Sequence, residues 1–272
     1  MDKIIIEPIT SMKNAFSVAG QNVVITGGNR GLGRGIAQAF AECGANVAIL
    51  CRNEASGNEA AEQLRLLGLR ALAVKCDVGD FDSVLRAKEV VAREFDHIDT
   101  LVNNAGIDGK HGVFDDARLE EFKRVMNVNL DGVAAMIQVF GQWMMDEGRG
   151  GEIINISSIG GQAIGDPRAH PMPSYNASKA ALDHLTRHLS IVMGDYGIRV
   201  NAIAPGPTHS DLDAGLPPSI TQFIDETMPM HRFGEPLEIG ALAVFLASSA
   251  AAQITGVVAN HDGGTMCVGL TF

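Results

Sequence analysis

Short apolar runs alternate with amphipathic stretches from about residue 21 to residue 261. Val23 to Thr26, Asn46 to Leu50, Ala71 to Lys75, Ile98 to Val102, Glu152 to Ile156, Ile198 to Ala204 and Val257 to Asn260 have strand length. Their near-continuous apolar character predicts strands covered on both faces. Helical periodicity begins at Ile36 and recurs from about Glu54 to Leu67, Ser83 to Phe95, Leu119 to Met145, Tyr175 to Met193 and Glu238 to Ala247. In the Tyr175 segment, Leu182, Leu185, Leu189 and Val192 repeat at helical spacing and predict one apolar face. Strands alternating with helices imply an α/β protein built on a doubly wound parallel sheet. No repeat, low-complexity tract or linker interrupts the pattern, so residues 20–272 are expected to form a single domain. Residues 1–19 read as an N-terminal extension that packs on this domain or on a neighbouring subunit, and His209 to Met228 as a helical substrate lid bent at Pro217-Pro218.

Composition narrows the function classes. The chain has 272 residues, 46% of them hydrophobic, enough for a sizeable core. A formal net charge of −11, without an acidic tail, argues against nucleic acid or an anionic membrane as partner. Cys43, Cys51, Cys76 and Cys267 lack metal-site spacing, so no metal is expected, and a reducing, cytoplasmic location fits best. The Ile4-Ile5-Ile6 run is cut off by Glu7 and Pro8, too short for a signal peptide or a membrane span.

Candidate chemistry lies in two places. Thr26-Gly27-Gly28-Asn29-Arg30-Gly31-Leu32-Gly33 falls between the first strand and the first helix, where glycines let backbone amides approach a pyrophosphate. Gly28 and Gly33 have P-loop spacing, but Arg34-Gly35 follows in place of Lys and Ser or Thr, which excludes that NTPase motif. Tyr175 and Lys179 stand four residues apart and share a helix face. A phenol ordinarily titrates near pH ~10. An adjacent ammonium would lower that value and prepare the phenol for proton transfer, with Ser158 holding a substrate oxygen nearby. Taken alone, the pair reads as a solvated helix surface.

Together, Thr26-Gly27-x-x-x-Gly31-x-Gly33, Asn103-Asn104-Ala105-Gly106, Ser158, Tyr175-x-x-x-Lys179, Pro205-Gly206 and Asp262-Gly263-Gly264 resemble the motif set of the short-chain dehydrogenase/reductase family. The motifs run in the family's order from about Gly20 to Thr265. Pro229 to Pro236 resembles its 3-oxoacyl-carrier-protein reductase and sugar dehydrogenase members. The resemblance implies a Rossmann-like fold and a nicotinamide cofactor. It implies Tyr175 as acid/base, Lys179 as the partner that lowers its pKa and binds the nicotinamide ribose, Ser158 on the substrate oxygen, and Asn129 holding a proton-relay water. It places Gly27, Asn29, Arg30, Gly31, Leu32 and Gly33 at the pyrophosphate, with Asp77 and Val78 at the adenine. Asn104, Ala105 and Gly106 fall beneath the adenosine ribose, and Pro205, Gly206, Thr208 and Ser210 around the nicotinamide amide.

The second strand ends Leu50-Cys51-Arg52-Asn53, with no acid where NAD's 2′-hydroxyl would need one. Arg52 and Arg30 suit a 2′-phosphate, so NADP(H) is expected over NAD(H). Between Ser158 and Tyr175 the chain carries what looks like an insertion, including Asp166, Arg168 and His170 among three prolines. Arg168 and His170 are read as solvent-exposed. The lid mixes Leu212, Leu216, Ile220, Phe223 and Ile224 with Asp211, Asp213 and Asp225, which suits an amphipathic substrate and disfavours a polyanion. His184 and His188 lack the intervening glutamate of a zinc-protease helix, and no GxSxG elbow surrounds Ser158.

The expected activity is therefore hydride transfer between NADP(H) and a secondary alcohol or ketone: first a sugar, polyol or sugar acid, then a hydroxysteroid or other bulky ketone, then a 3-oxoacyl thioester. A non-catalytic NADP(H)-binding regulator is the rival from another class, and retention of both Tyr175 and Lys179 speaks against it. The family resemblance implies a homotetramer or homodimer.

Overall fold

The computed structural model describes residues 3–66, 68–109, 112–164, 172–210 and 218–268. Seven strands, β1 (Asn22–Thr26), β2 (Asn46–Cys51), β3 (Ala71–Lys75), β4 (Thr100–Asn103), β5 (Gly151–Ile156), β6 (Ile198–Pro205) and β7 (Val258–His261), pair in parallel in the order β3-β2-β1-β4-β5-β6-β7. The direction of winding reverses between β1 and β4, the switch point where a doubly wound sheet opens a crevice for ligands.

Two-sided burial explains the apolar runs. Along β1, Val23 and Ile25 join a core with α1 (Gly31–Glu42), α2 (Glu54–Arg65) and α9 (Pro236–Ala247). Val24 faces the other way, into a core with α3 (Phe81–Glu94), with Val133, Met136, Phe140 and Trp143, and with α7 (Pro173–Gly194). On α7, Leu182 is fully buried and Leu185 and Leu189 pack partly. The predicted apolar face ends there, because Val192 is 50% exposed beside Ile191 at 79%.

The predicted helix from Leu119 to Met145 starts one residue later and is not uniform. α4 (Glu120–Met126), α5 (Gly132–Met136) and α6 (Gln142–Glu147) follow end to end through π-helical turns at Asn127–Asp131 and Ile137–Gly141. Gly132 has no room for a side chain, since a Cβ there would lie 2.9 Å from Val78 Cγ2 and 3.0 Å from its carbonyl. β4 begins at Thr100 rather than Ile98, because Asp99 uses its carboxylate to accept from the Asn22 amide at 2.8 Å.

Residues before β1 lie against the domain. Ile4 donates its amide to the Asp195 carbonyl at 3.0 Å, the Ala15 carbonyl accepts from Ala250 at 2.8 Å, and Phe16 tilts against Phe245. In the predicted lid, α8 (Pro218–Glu226) buries Ile224. Lid positions 211–217 and the insertion positions 165–171, including Asp166, Arg168 and His170, lie outside the described residues, as does the side chain of Ile220. No described helix is long and apolar enough to cross a membrane.

Candidate active site

The glycine loop closes on the next strand of the crevice. Asn104 donates through Nδ2 to the Thr26 carbonyl at 2.9 Å, and the Asn104 and Ala105 amides both donate to Thr26 Oγ1 at 2.9 Å. Thr26 therefore joins the ends of β1 and β4, a task that its place in the glycine motif did not reveal. Gly33 is obligatory here: a Cβ would meet the Gly27 carbonyl oxygen at 2.3 Å and Asn104 Nδ2 at 2.4 Å. Gly27 and Gly31 take positive φ of 67° and 51°, which an L side chain would resist. Arg30, extended and exposed, precedes α1 without capping it. A dinucleotide pyrophosphate fits this cradle of glycine backbone and helix N-terminus.

At the end of β2, Cys51 is buried and Arg52 and Asn53 are exposed. Asn53 caps α2 by accepting from the Ser56 amide at 3.2 Å, and Asn29 Nδ2 donates to Ser56 Oγ at 2.8 Å. Ser56, absent from the sequence reading, thus ties the glycine loop to α2. After β3, Asp77 accepts from the Gly79 amide at 3.1 Å, and Val78 is buried against the Gly132 helix. On the far side of the crevice, Pro205 ends β6, Gly206 abuts Asp262, and Thr208 donates to the Gly206 carbonyl at 3.0 Å while bridging Gly234. Ser210 follows, half-buried.

Ser158, Tyr175 and Lys179 meet between β5 and α7. Ser158 caps the tight turn Ile159–Gly161, its Oγ accepting from the Gly160 amide at 3.1 Å. That turn presses on α7 so closely that a Cβ on Gly161 would fall 2.7 Å from the Lys179 carbonyl carbon. The Ser158 hydroxyl lies close enough to the Tyr175 phenol to favour its ionised form. Lys179, 4% exposed, donates from Nζ to the Ile156 carbonyl at 2.7 Å, with Nζ 5.5 Å from the Tyr175 ring centre.

Burial dominates the electrostatics of the pair. Burial raises the Tyr175 pKa above its ordinary value, against the pull of the Ser158 hydroxyl, and the Asp108 carboxylate raises it further. The Lys179 ammonium is itself pushed down to about 8 by burial and supported by Asp183.

Asn129 is fully buried in the first π-helical turn. Its Oδ1 accepts from the Ile107 amide at 2.8 Å, and its Nδ2 donates to the Ile107 carbonyl at 2.9 Å and to Ser178 Oγ at 3.1 Å. The side chain thus holds the loop after β4. Ser178 in turn donates to the Tyr175 carbonyl at 2.7 Å. The clamped loop carries Gly106 past Lys179, where a Cβ would stand 3.6 Å from Nζ, and presents half-buried Asp108 beside the phenol. Nothing in the motif pattern marked Asp108. His184 and His188 are exposed on α7, and no metal-binding cluster occurs among the described residues.

The family profile described as "Enoyl-(Acyl carrier protein) reductase" matches residues 27–266. In fold, the chain superposes on a short-chain type dehydrogenase/reductase from Mycobacterium marinum with a TM-score of 0.86 and 33% identity, covering 94% of this chain and 100% of that one. The chain is a short-chain dehydrogenase/reductase. Within that family it is 36% identical over 264 residues to galactitol 2-dehydrogenase of Rhizobium johnstonii, covering 94% of this chain and 99% of the relative. It also resembles a gluconate 5-dehydrogenase from Burkholderia cenocepacia solved with NADP and tartrate, with a TM-score of 0.86 and 31% identity over 93% of this chain and 98% of that one. Like other short-chain dehydrogenases, it is an oxidoreductase that uses a nicotinamide cofactor and acts on a small-molecule alcohol or its carbonyl counterpart.

Proposed function

We propose that this enzyme interconverts a secondary alcohol and a ketone of a sugar, polyol or sugar acid with NADP(H), using Tyr175 as acid/base. One observation carries the reading: the Lys179 ammonium sits 5.5 Å from the Tyr175 ring centre, pinned to the Ile156 carbonyl, with the Ser158 hydroxyl beside the phenol. The bound nicotinamide supplies or takes up the hydride at the reacting carbon. The chain handles the oxygen. In reduction, Ser158 donates to the carbonyl oxygen and Tyr175 gives it a proton as negative charge develops there; in oxidation, Tyr175 removes that proton. Lys179 offsets the charge left on the phenolate, and Asn129 fixes the loop that borders the reacting groups.

Arg52 and Arg30, exposed at the end of β2 and the start of α1, support NADP(H), with buried Cys51 where an acid would favour NAD(H). The galactitol and gluconate specificities of the two relatives support a polyhydroxy substrate, as does Asp108, a carboxylate able to accept from hydroxyls near the phenol. A net charge of −11 speaks against docking an acidic carrier protein. Exposed Ile191 and Val192 on α7 support burial between copies in a homotetramer or homodimer, and a cytoplasmic location agrees with the free cysteines.

Screening NADPH oxidation and NADP reduction against galactitol, gluconate, a hydroxysteroid and simple ketones identifies the substrate class. Tyr175→Phe is expected to abolish turnover while retaining NADPH fluorescence on binding. Turnover at the wild-type rate would remove Tyr175 from the mechanism. A higher kcat/KM with NADPH than with NADH is expected, and the reverse order would overturn the cofactor assignment.

A further inference from the structure

One charged group in the catalytic helix has no role in the reaction as described. Asp183 sits four residues after Lys179 on α7, on the same helical face, and is only 3% exposed. A buried carboxylate costs several kcal/mol unless a countercharge or strong hydrogen bonds compensate it. Its one strong partner is Ser157, whose hydroxyl donates to Asp183 Oδ1 from the residue just before Ser158. The same hydroxyl reaches the Lys179 carbonyl at 3.4 Å. Asp183 is therefore wedged between the end of β5 and the lysine turn of α7, where Lys179 Nζ is already pinned to the Ile156 carbonyl at 2.7 Å. Among the described residues, Lys179 and the exposed Arg187 one turn further along favour the Asp183 carboxylate, and Asp183 favours the Lys179 ammonium.

We propose that Asp183 is a positioning residue, whose carboxylate, anchored by Ser157, keeps Lys179 in its ammonium form beneath the Tyr175 ring. The inference rests on the acid/base reading of Tyr175 and extends it by one layer. Lys179 is a buried cation close to losing its proton in the working range, and a buried anion on its own helix face opposes that loss. Ser157 then acts differently from its neighbour: Ser158 faces the phenol, whereas Ser157 faces the carboxylate.

The test reads the lysine directly and needs no substrate. In protein labelled with 13C at lysine Cε, the Lys179 resonance is assigned by its disappearance in Lys179→Arg and titrated by NMR in wild type and in Asp183→Asn. Asparagine keeps the size and a hydrogen-bonding oxygen for Ser157 but removes the charge. The expected result is a Lys179 midpoint lowered by about one unit or more, the effect of losing a nearby opposite charge. With any substrate the screen supplies, the alkaline limb of kcat/KM moves down by the same amount. An unmoved midpoint overturns the proposal, even if Asp183→Asn lowers thermal stability. If that variant does not fold, Ser157→Ala serves: the carboxyl loses its hydrogen bond, becomes easier to protonate, and lets the Lys179 midpoint fall by a smaller amount. An unchanged midpoint there overturns it equally. Loss of the Tyr175 assignment would appear separately, as turnover surviving in Tyr175→Phe.

Discussion

At Tyr175 the balance of forces sets the direction in which the site works most readily. Burial and the Asp108 carboxylate both favour the neutral phenol, and only the Ser158 hydroxyl opposes them. A phenol held protonated is ready to give its proton to a carbonyl but must first lose it to act as a base. Reduction is thus expected to hold its rate through neutral pH and to decline only at alkaline pH. Oxidation should rise with pH over the same range, until Lys179, held near 8, begins to lose its charge. Initial rates in both directions from pH 6 to about 10, on one substrate, check this. A falling oxidation rate between neutrality and pH ~8 would contradict it, because the shift in Tyr175 has the opposite sign.

Among the elements, α1 and α9 approach so closely that their contact depends on two glycines. A Cβ on Gly35 would lie 2.4 Å from the Pro236 carbonyl carbon, and one on Gly240 would lie 2.5 Å from Ala39 Cβ and 2.8 Å from the Gly35 carbonyl oxygen. Gly240→Ala gains about 0.5–1 kcal/mol of helix propensity. Overpacking against backbone and a Cβ costs roughly 1–3 kcal/mol. The clash should win, so the midpoint of urea unfolding falls, and a stabilised variant would show that the helices can part freely. This contact was not readable from the chain: Gly35 and Gly240 look alike to any periodicity, and only the packing says which side they serve. The central strands were readable because they are buried on both faces and so written mostly in apolar residues, whereas the edge strands β3 and β7 stay partly exposed. The π-helical turn at Asn127–Asp131 was not, since its cause is the loop that Asn129 grips through Ile107, remote in sequence. Ser158, Tyr175 and Lys179 could be found because their chemistry demands fixed residue types. Asp183 shows the intermediate case: its spacing from Lys179 was visible, but its burial was not.

Across the whole molecule, the reactive groups gather at the C-terminal ends of the strands, while a second buried charge cluster holds the opposite end together. Arg199 meets Glu152 Oε2 at 2.8 Å and donates to the carbonyls of Leu246 at 2.6 Å and Ile254 at 3.2 Å. Asn201 completes it, donating to Glu152 Oε1 at 3.0 Å and to the Ile254 carbonyl at 2.8 Å. The cluster therefore ties β5 and β6 to the end of α9 and to the chain leading into β7. Burial pushes the Glu152 carboxyl upward, and Arg199 opposes that push. Arg199→Met leaves the acid buried without its countercharge, which typically costs about 3–5 kcal/mol. Replacing both groups, in Arg199→Met with Glu152→Met, should recover much of that loss, because an ion pair removed whole takes its desolvation cost with it. The single variant's deficit should also shrink as pH falls, since the freed carboxyl takes up a proton instead of staying charged. Because the cluster lies at the far end of the sheet from Tyr175, kcat/KM of the folded enzyme should match wild type in both variants. Urea titrations at neutral and mildly acidic pH, with activity measured on the folded fraction, separate these effects. A single variant as stable as wild type would mean that the two ends of the sheet do not depend on this pair.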